Sequence, residues 1–121
     1  IRVLLVEDNE DDYIFAKTLL ANIASPRFEL CWVASYEAAL IAIAHSSYDV
    51  CLLDYRLGRG HDGLEVLKQV VKIHPEMPVI LLTGGADREV DLEAMQLGAV
   101  DFLYKDEISV GLLERSLRYA I

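Results

Sequence analysis

Five polar side chains stand where the apolar runs of this sequence end. Glu7 and Asp8 follow Val3-Leu4-Leu5-Val6, Asp54 follows Val50-Cys51-Leu52-Leu53, Thr83 follows Val79-Ile80-Leu81-Leu82, and Lys105 closes the run that begins at Val100. Brought together, the three carboxylates would repel and raise one another's pKa unless a cation neutralised them. An oxygen-only donor set suits a hard ion such as Mg²⁺. Beside such a charge Asp54 has the chemistry of a nucleophile, because a carboxylate can attack a phosphoryl group and form an aspartyl phosphate. That transfer needs positioned positive charge more than proton chemistry. Lys105 can neutralise the phosphoryl oxygens, and the Thr83 hydroxyl and the Gly84 N–H can donate hydrogen bonds to them.

Convergence of residues so far apart depends on the elements between them. The segments Arg2 to Val6, Phe28 to Val33, Asp49 to Leu53, Pro78 to Leu82 and Val100 to Leu103 are short and rich in Val, Leu, Ile, Cys or Phe. Three of them are apolar at consecutive positions, which predicts strands covered on both faces, as in a parallel sheet between helix layers. Helical spacing joins Ala16, Leu19, Leu20 and Ile23, then Tyr36, Ala39, Leu40 and Ile43 behind a Ser35 N-cap. Further stripes are Leu64, Leu67 and Val71; Val90, Ala94 and Leu97, stopped by Gly98; and Leu113, Leu117 and Ala120 behind Ser109. The alternation predicts a doubly wound (βα)₅ α/β fold of flavodoxin-like type, a three-layer sandwich around a five-stranded parallel sheet. Its ligand site would lie at the carboxyl ends of the strands, at the switch in strand order.

Composition narrows the function. The chain has 121 residues, 54% hydrophobic and 26% charged, which suits one globular domain spanning 1–121. Twenty acidic residues against 11 basic ones give a net charge of -9, so direct nucleic-acid binding is not expected. Cys31 and Cys51 lie in apolar stretches without metal-ligand spacing and read as two buried, reduced thiols. No apolar run approaches the roughly 20 residues of a membrane span, and a cytoplasmic location is expected. The chain opens without Met and stops at Ile121 within an amphipathic pattern, so it reads as a piece of a longer multidomain protein.

Two nucleotide readings fail on charge and spacing. A flavin phosphate needs a loop of backbone N–H donors after the first strand, where Glu7-Asp8-Asn9-Glu10-Asp11-Asp12 would repel it. Gly58-Arg59-Gly60-His61-Asp62-Gly63 has spaced glycines but lacks the lysine and strand-turn-helix context of a phosphate cradle.

Val6-Glu7-Asp8-Asn9, Leu52-Leu53-Asp54, Leu82-Thr83-Gly84 and Phe102-Leu103-Tyr104-Lys105, in this order and at these separations, resemble the receiver domain of two-component response regulators, the CheY-like family. The resemblance covers the whole chain. It implies that Asp54 is the phosphorylated aspartate, and that Asp8, Asp54 and the backbone carbonyl of Arg56 are the Mg²⁺ ligands, with Glu7 acting through a water. Thr83 and Lys105 would contact the phosphoryl group, and Phe102 would be the aromatic that turns inward on activation. The implied donor is the phosphohistidine of a sensor histidine kinase or phosphotransfer protein, or a small donor such as acetyl phosphate. The implied response surface is the fourth helix, fifth strand and fifth helix, here Arg88 to Leu97, Val100 to Leu103 and Ser109 to Ile121, facing a C-terminal output domain or a second receiver in a homodimer. Two features depart from the family. Asp106 stands where proline usually follows the lysine, so a cis bond is not expected there. The loop after Asp54 lacks the common proline and carries an apparent extra residue.

Each residue also has a plainer reading. Glu7 and Asp8 alone fit a solvated acid pair at a helix N-terminus, Thr83 a turn or cap, and Lys105 a surface lysine; it is their joint occurrence that favours the site. Phe102 suits a core position as well as a switch, and Tyr104 suits the exposed aromatic of that face. His45, His61 and His74 read as solvated or capping residues. At the level of function, a phosphorylation-controlled switch competes with a Mg²⁺-dependent phosphohydrolase that turns over on Asp54, and with a pseudo-receiver that only binds partners.

Overall fold

Each buried run becomes a strand because its Val, Leu and Ile side chains find an apolar layer on either face of one sheet. In the computed structural model, which describes residues 1–58, 60–84 and 90–121, β1 is Arg2–Val6, β2 Glu29–Val33, β3 Val50–Asp54, β4 Val79–Thr83 and β5 Asp101–Tyr104. All neighbours pair in parallel, in the order β2-β1-β3-β4-β5. The helices are α1 (Glu10–Ala21), α2 (Tyr36–His45), α3 (Gly63–Ile73), α4 (Val90–Leu97) and α5 (Val110–Ala120). This is the expected doubly wound (βα)₅ sandwich, with the strand order reversing between β1 and β3.

Alternation along the strands sorts the core into two layers. Val3, Leu5, Val50, Leu52, Ile80 and Leu82 face Ala16 and Leu20 of α1 and Leu113 and Leu117 of α5. Leu4, Val6, Cys51, Leu53, Val79 and Leu81 face α2, α3 and α4 through residues such as Ile43, Leu67 and Ala94. None of the helices is long and apolar enough to cross a membrane, among the described residues.

Side-chain caps set the helix starts. Ser35 and Ser109 accept from the backbone N–H groups of Ala38 and Leu112, as expected. Asn9 caps α1 by accepting from the Asp12 N–H at 3.0 Å, and Asp62 closes a capping box with Glu65 at the start of α3. Gly98 ends α4 with a φ of 114°, a conformation that favours glycine.

Three expectations need correction. The stripe of α3 runs through Leu64, Val66, Leu67 and Val70, whereas Val71 is exposed, because Val70 and not Val71 points at the sheet. Cys51 is buried, but Cys31 is only partly so, because β2 is an edge strand; its Sγ lies 3.8 Å from the Tyr48 hydroxyl. The strands β3 and β4 each run one residue further than expected, so Asp54 and Thr83 are strand residues and not the first residues of loops. Tyr55 N–H donates to the Leu82 carbonyl and Lys105 N–H to the Thr83 carbonyl, continuing the ladder past the apolar runs.

Candidate functional site

Parallel register delivers the site. Val6 pairs with Leu53, and Asp54 with Leu82, so Glu7 leaves β1 beside the end of β3. Thr83 pairs with Tyr104, one residue before Lys105. Glu7 is 1% exposed, Asp54 3% and Thr83 0%, while Asp8 faces solvent, so the cluster is a buried anionic floor with an open rim.

Lys105 is the hub. Its Nζ lies 2.9 Å from Asp54 Oδ1, 3.1 Å from Glu7 Oε2 and 2.8 Å from Asp12 Oδ2. Ligand oxygens of Glu7, Asp8 and Asp54 all lie within 4.8 Å of one another, the spacing a single cation would span. Leu52, Leu82, Leu113 and Phe15 line an apolar recess beside Glu7 and Lys105.

The electrostatics follow from this placement. Burial pushes the Glu7 carboxyl up from 4.5 to about 8, and the negative charge of Asp54 adds to the rise while Lys105 opposes it. Asp54 is also raised, first by burial, with the Lys105 ammonium pulling the other way. Burial acts to discharge Lys105, but the hydrogen bond to Asp12 and the charges of Asp54 and Glu7 outweigh it and hold the ammonium protonated. One cation is thus spread over three carboxylates, and the site has room for more positive charge.

The structure brings Glu7, Asp8, Asp54 and Lys105 together and places Thr83 at the neighbouring strand end. The Thr83 hydroxyl is buried with no hydrogen-bond partner among the described residues. Arg56 follows β3 by two residues, in a bridge with Asp62 that holds the start of the glycine-rich loop, and Gly63 N–H donates to the Tyr55 carbonyl at 2.6 Å. Arg59 of that loop lies outside the described residues, as do Arg88 and Glu89 at the start of the expected response surface. Lys105–Asp106 is trans, and the chain turns directly, with Glu107 N–H donating to the Tyr104 carbonyl.

Phe102 is half-buried against the core layer beneath α4, its ring 5.7 Å from that of Tyr104. Tyr104 is not an exposed aromatic: it is half-buried, and its hydroxyl donates to Asp91 on α4. His45 contacts the Ile41 carbonyl within its own helix, and His74 reaches the Ile43 carbonyl of α2. His61 stacks on Tyr36 and pairs with Glu65, pinning the glycine-rich loop to α2.

Two contributors escaped the sequence reading. Asp12 lies in the first turn of α1, past the loop that carries Asp8, and its place in the acidic run Glu10-Asp11-Asp12 was the signal available in the sequence. Trp32 donates its indole N–H to the Glu7 carbonyl at 2.7 Å, a contact between β2 and the β1–α1 loop that no local pattern announces.

Comparison with known proteins agrees with this geometry. The profile of the response regulator receiver domain matches residues 3–116. The DNA-binding transcriptional regulator NtrC of Salmonella typhimurium is 42% identical over 84 residues, 66% of this chain and 18% of that protein. The transcriptional regulatory protein FixJ of Bradyrhizobium diazoefficiens is 31% identical over 114 residues, 92% of this chain and 55% of that protein. Among solved structures, the receiver domain of NtrX from Brucella abortus superposes with a TM-score of 0.87 at 28% identity, covering 98% of this chain and 96% of that one. The receiver domain of a sensor histidine kinase from Pseudomonas aeruginosa PAO1, solved with a magnesium ion coordinated in its active site cleft, gives 0.84 at 26% identity, covering 98% and 95%. The chain spans only part of the length of the curated relatives it matches, 18% of NtrC and 55% of FixJ. A match of this extent to the family profile, joined to the buried carboxylates and the lysine between them, shows that the chain belongs to the response regulator receiver domain family.

Proposed function

We propose that Asp54 accepts a phosphoryl group from the phosphohistidine of a sensor histidine kinase or phosphotransfer protein, and that the adduct switches the α4-β5-α5 face toward an output domain or a second receiver. One observation carries this reading: Lys105 Nζ sits 2.9 Å from a buried Asp54 that shares its pocket with Glu7 and Asp8. A free carboxylate oxygen of Asp54 attacks phosphorus; the bond to the donor nitrogen or oxygen breaks, and the leaving group departs with its electron pair. Lys105 is placed to follow the new charge, since its present partner is the carboxylate that becomes the acyl phosphate.

The donor set fits a hard divalent cation. Burial raises the pKa values of Glu7 and Asp54, the one lysine between them does not bring either back to its ordinary value, and all the candidate donors are oxygens. Asp8, Asp54 and the Arg56 carbonyl would hold Mg²⁺, with Glu7 behind them, and the bound ion would supply charge neutralisation to the phosphoryl oxygens. The Thr83 hydroxyl, without a hydrogen-bond partner among the described residues, supports the same reading, since a phosphoryl oxygen would satisfy a buried donor that is otherwise costly.

The response surface has its components in contact. Asp91 of α4 accepts from Tyr104 of β5, Asp101 of β5 accepts from Ser116 of α5 at 2.6 Å, and Leu92, Met95 and Tyr119 are exposed. Moving a switch from nearly off to nearly on takes roughly 5.5 kcal/mol of differential interaction, a scale within reach of a few charge-assisted hydrogen bonds. Incubation with acetyl phosphate and Mg²⁺ tests the assignment by intact mass. One durable phosphoryl adduct is expected on the native chain and none on Asp54→Asn. An equal adduct on Asp54→Asn would refute the site, and rapid multiple turnover without an adduct would favour a phosphohydrolase.

A further inference from the structure

We propose that Trp32 is a positioning residue for the acidic loop: its indole N–H fixes the peptide unit joining Glu7 to Asp8 and thereby sets the affinity of the carboxylate cluster for a divalent cation. This rests on reading that cluster as a Mg²⁺ site.

Where β1 ends, the backbone of Glu7 is held from both sides. Its N–H donates to the Val33 carbonyl at 3.0 Å, and its C=O accepts from Trp32 Nε1 at 2.7 Å. The second bond uses a side chain where the strand ladder has run out. A peptide unit is planar, so orienting the Glu7 carbonyl also orients the Asp8 N–H and Cα on its far side. Two of the three clustered carboxylates therefore hang from the plane that Trp32 grips.

The indole is itself constrained. It stacks on Tyr13 of α1 with ring centroids 4.0 Å apart and planes 6° from parallel. Tyr13 N–H in turn donates to the carbonyl of Asn9, which caps that helix. Trp32 thus clasps β2, the acidic loop and α1 into one unit. Partial burial of an indole already favours a partner for its N–H, so packing alone would explain why a bond exists. It does not explain why the acceptor is the carbonyl between two candidate ligands, and that placement lets the bond act on cation affinity.

Trp32→Phe removes the donor while keeping a ring to stack on Tyr13. Calorimetric titration with Mg²⁺ at fixed pH should show binding weakened roughly 3- to 10-fold, the usual net worth of one hydrogen bond. Circular dichroism should still show the native spectrum. Binding within twofold of the native chain would overturn the proposal, including where the melting temperature falls, because lost packing alone would then account for the change. Should the variant fail to fold, the indole N–H resonance of the native chain decides: it must shift on saturation with Mg²⁺, and an unmoved resonance overturns the proposal. Failure of the native chain itself to bind Mg²⁺ would sink the metal reading instead, a result distinct from equal binding by both proteins.

Discussion

Replacing Glu7 with Gln should turn the metal-free protein from one that weakens with rising pH into one that is much less sensitive. The Glu7 carboxyl lies at an ordinary 4.5 in the unfolded chain and at about 8 in the fold, where burial disfavours its charge and Asp54 repels it. The folded state therefore holds the proton more tightly. Stability from this group is fully present below 4.5 and is lost as pH rises through 8. At about 1.4 kcal/mol per pH unit, the loss between pH 5 and pH 8 comes to roughly 3.5 kcal/mol. Asp54, also raised, and His61, raised chiefly by its hydrogen bond to Glu65, contribute with the same sign, so comparison with Glu7→Gln reads the part that depends on Glu7, including its interaction with Asp54. The assay is urea unfolding in EDTA at several pH values from 5 to 8. The variant should match the native chain near pH 5 and exceed it by several kcal/mol near pH 8. Saturating Mg²⁺ should flatten or reverse the native slope, since a cation favours the ionised carboxylates. A native stability that is constant or rises over this range without metal would refute the account of a buried, crowded carboxyl.

Asp12→Asn should free Lys105 from its most exposed partner and remove an anion from the mouth of the site. Adduct formation from acetyl phosphate should quicken by roughly 2- to 5-fold, the scale of a partly exposed ion pair, as read from the time course of intact mass. Gly63→Ala should cost about 1–3 kcal/mol in urea unfolding, because the added Cβ would lie 2.4 Å from the Asp54 carbonyl oxygen and force α3 away from β3.

Local chemistry carried much of this protein. Consecutive apolar residues such as Leu4-Leu5 and Leu52-Leu53 can be buried on both faces only inside a layered parallel sheet, so the fold class and the strand-end location of Glu7, Asp54 and Lys105 were legible without coordinates. The serine caps and Gly98 were legible for the same reason: each acts within a few residues of itself along the chain. What spacing could not separate was Val70 from Val71, because either fits a helical period and only the packing of α3 on the sheet decides which is buried.

Contacts between distant segments belonged to the tertiary structure alone. Lys105 meets Asp12 from the far end of the chain, and Trp32 reaches the Glu7 carbonyl from a neighbouring strand. The raised pKa values of Glu7 and Asp54 arise the same way, since both depend on how much water the folded core excludes. Residue types determine what a side chain can do, but burial and approach across the sheet are properties of the packed whole. The sequence alone determined which groups could perform phosphoryl chemistry; only the fold decided how strongly they are coupled and what holds them in place.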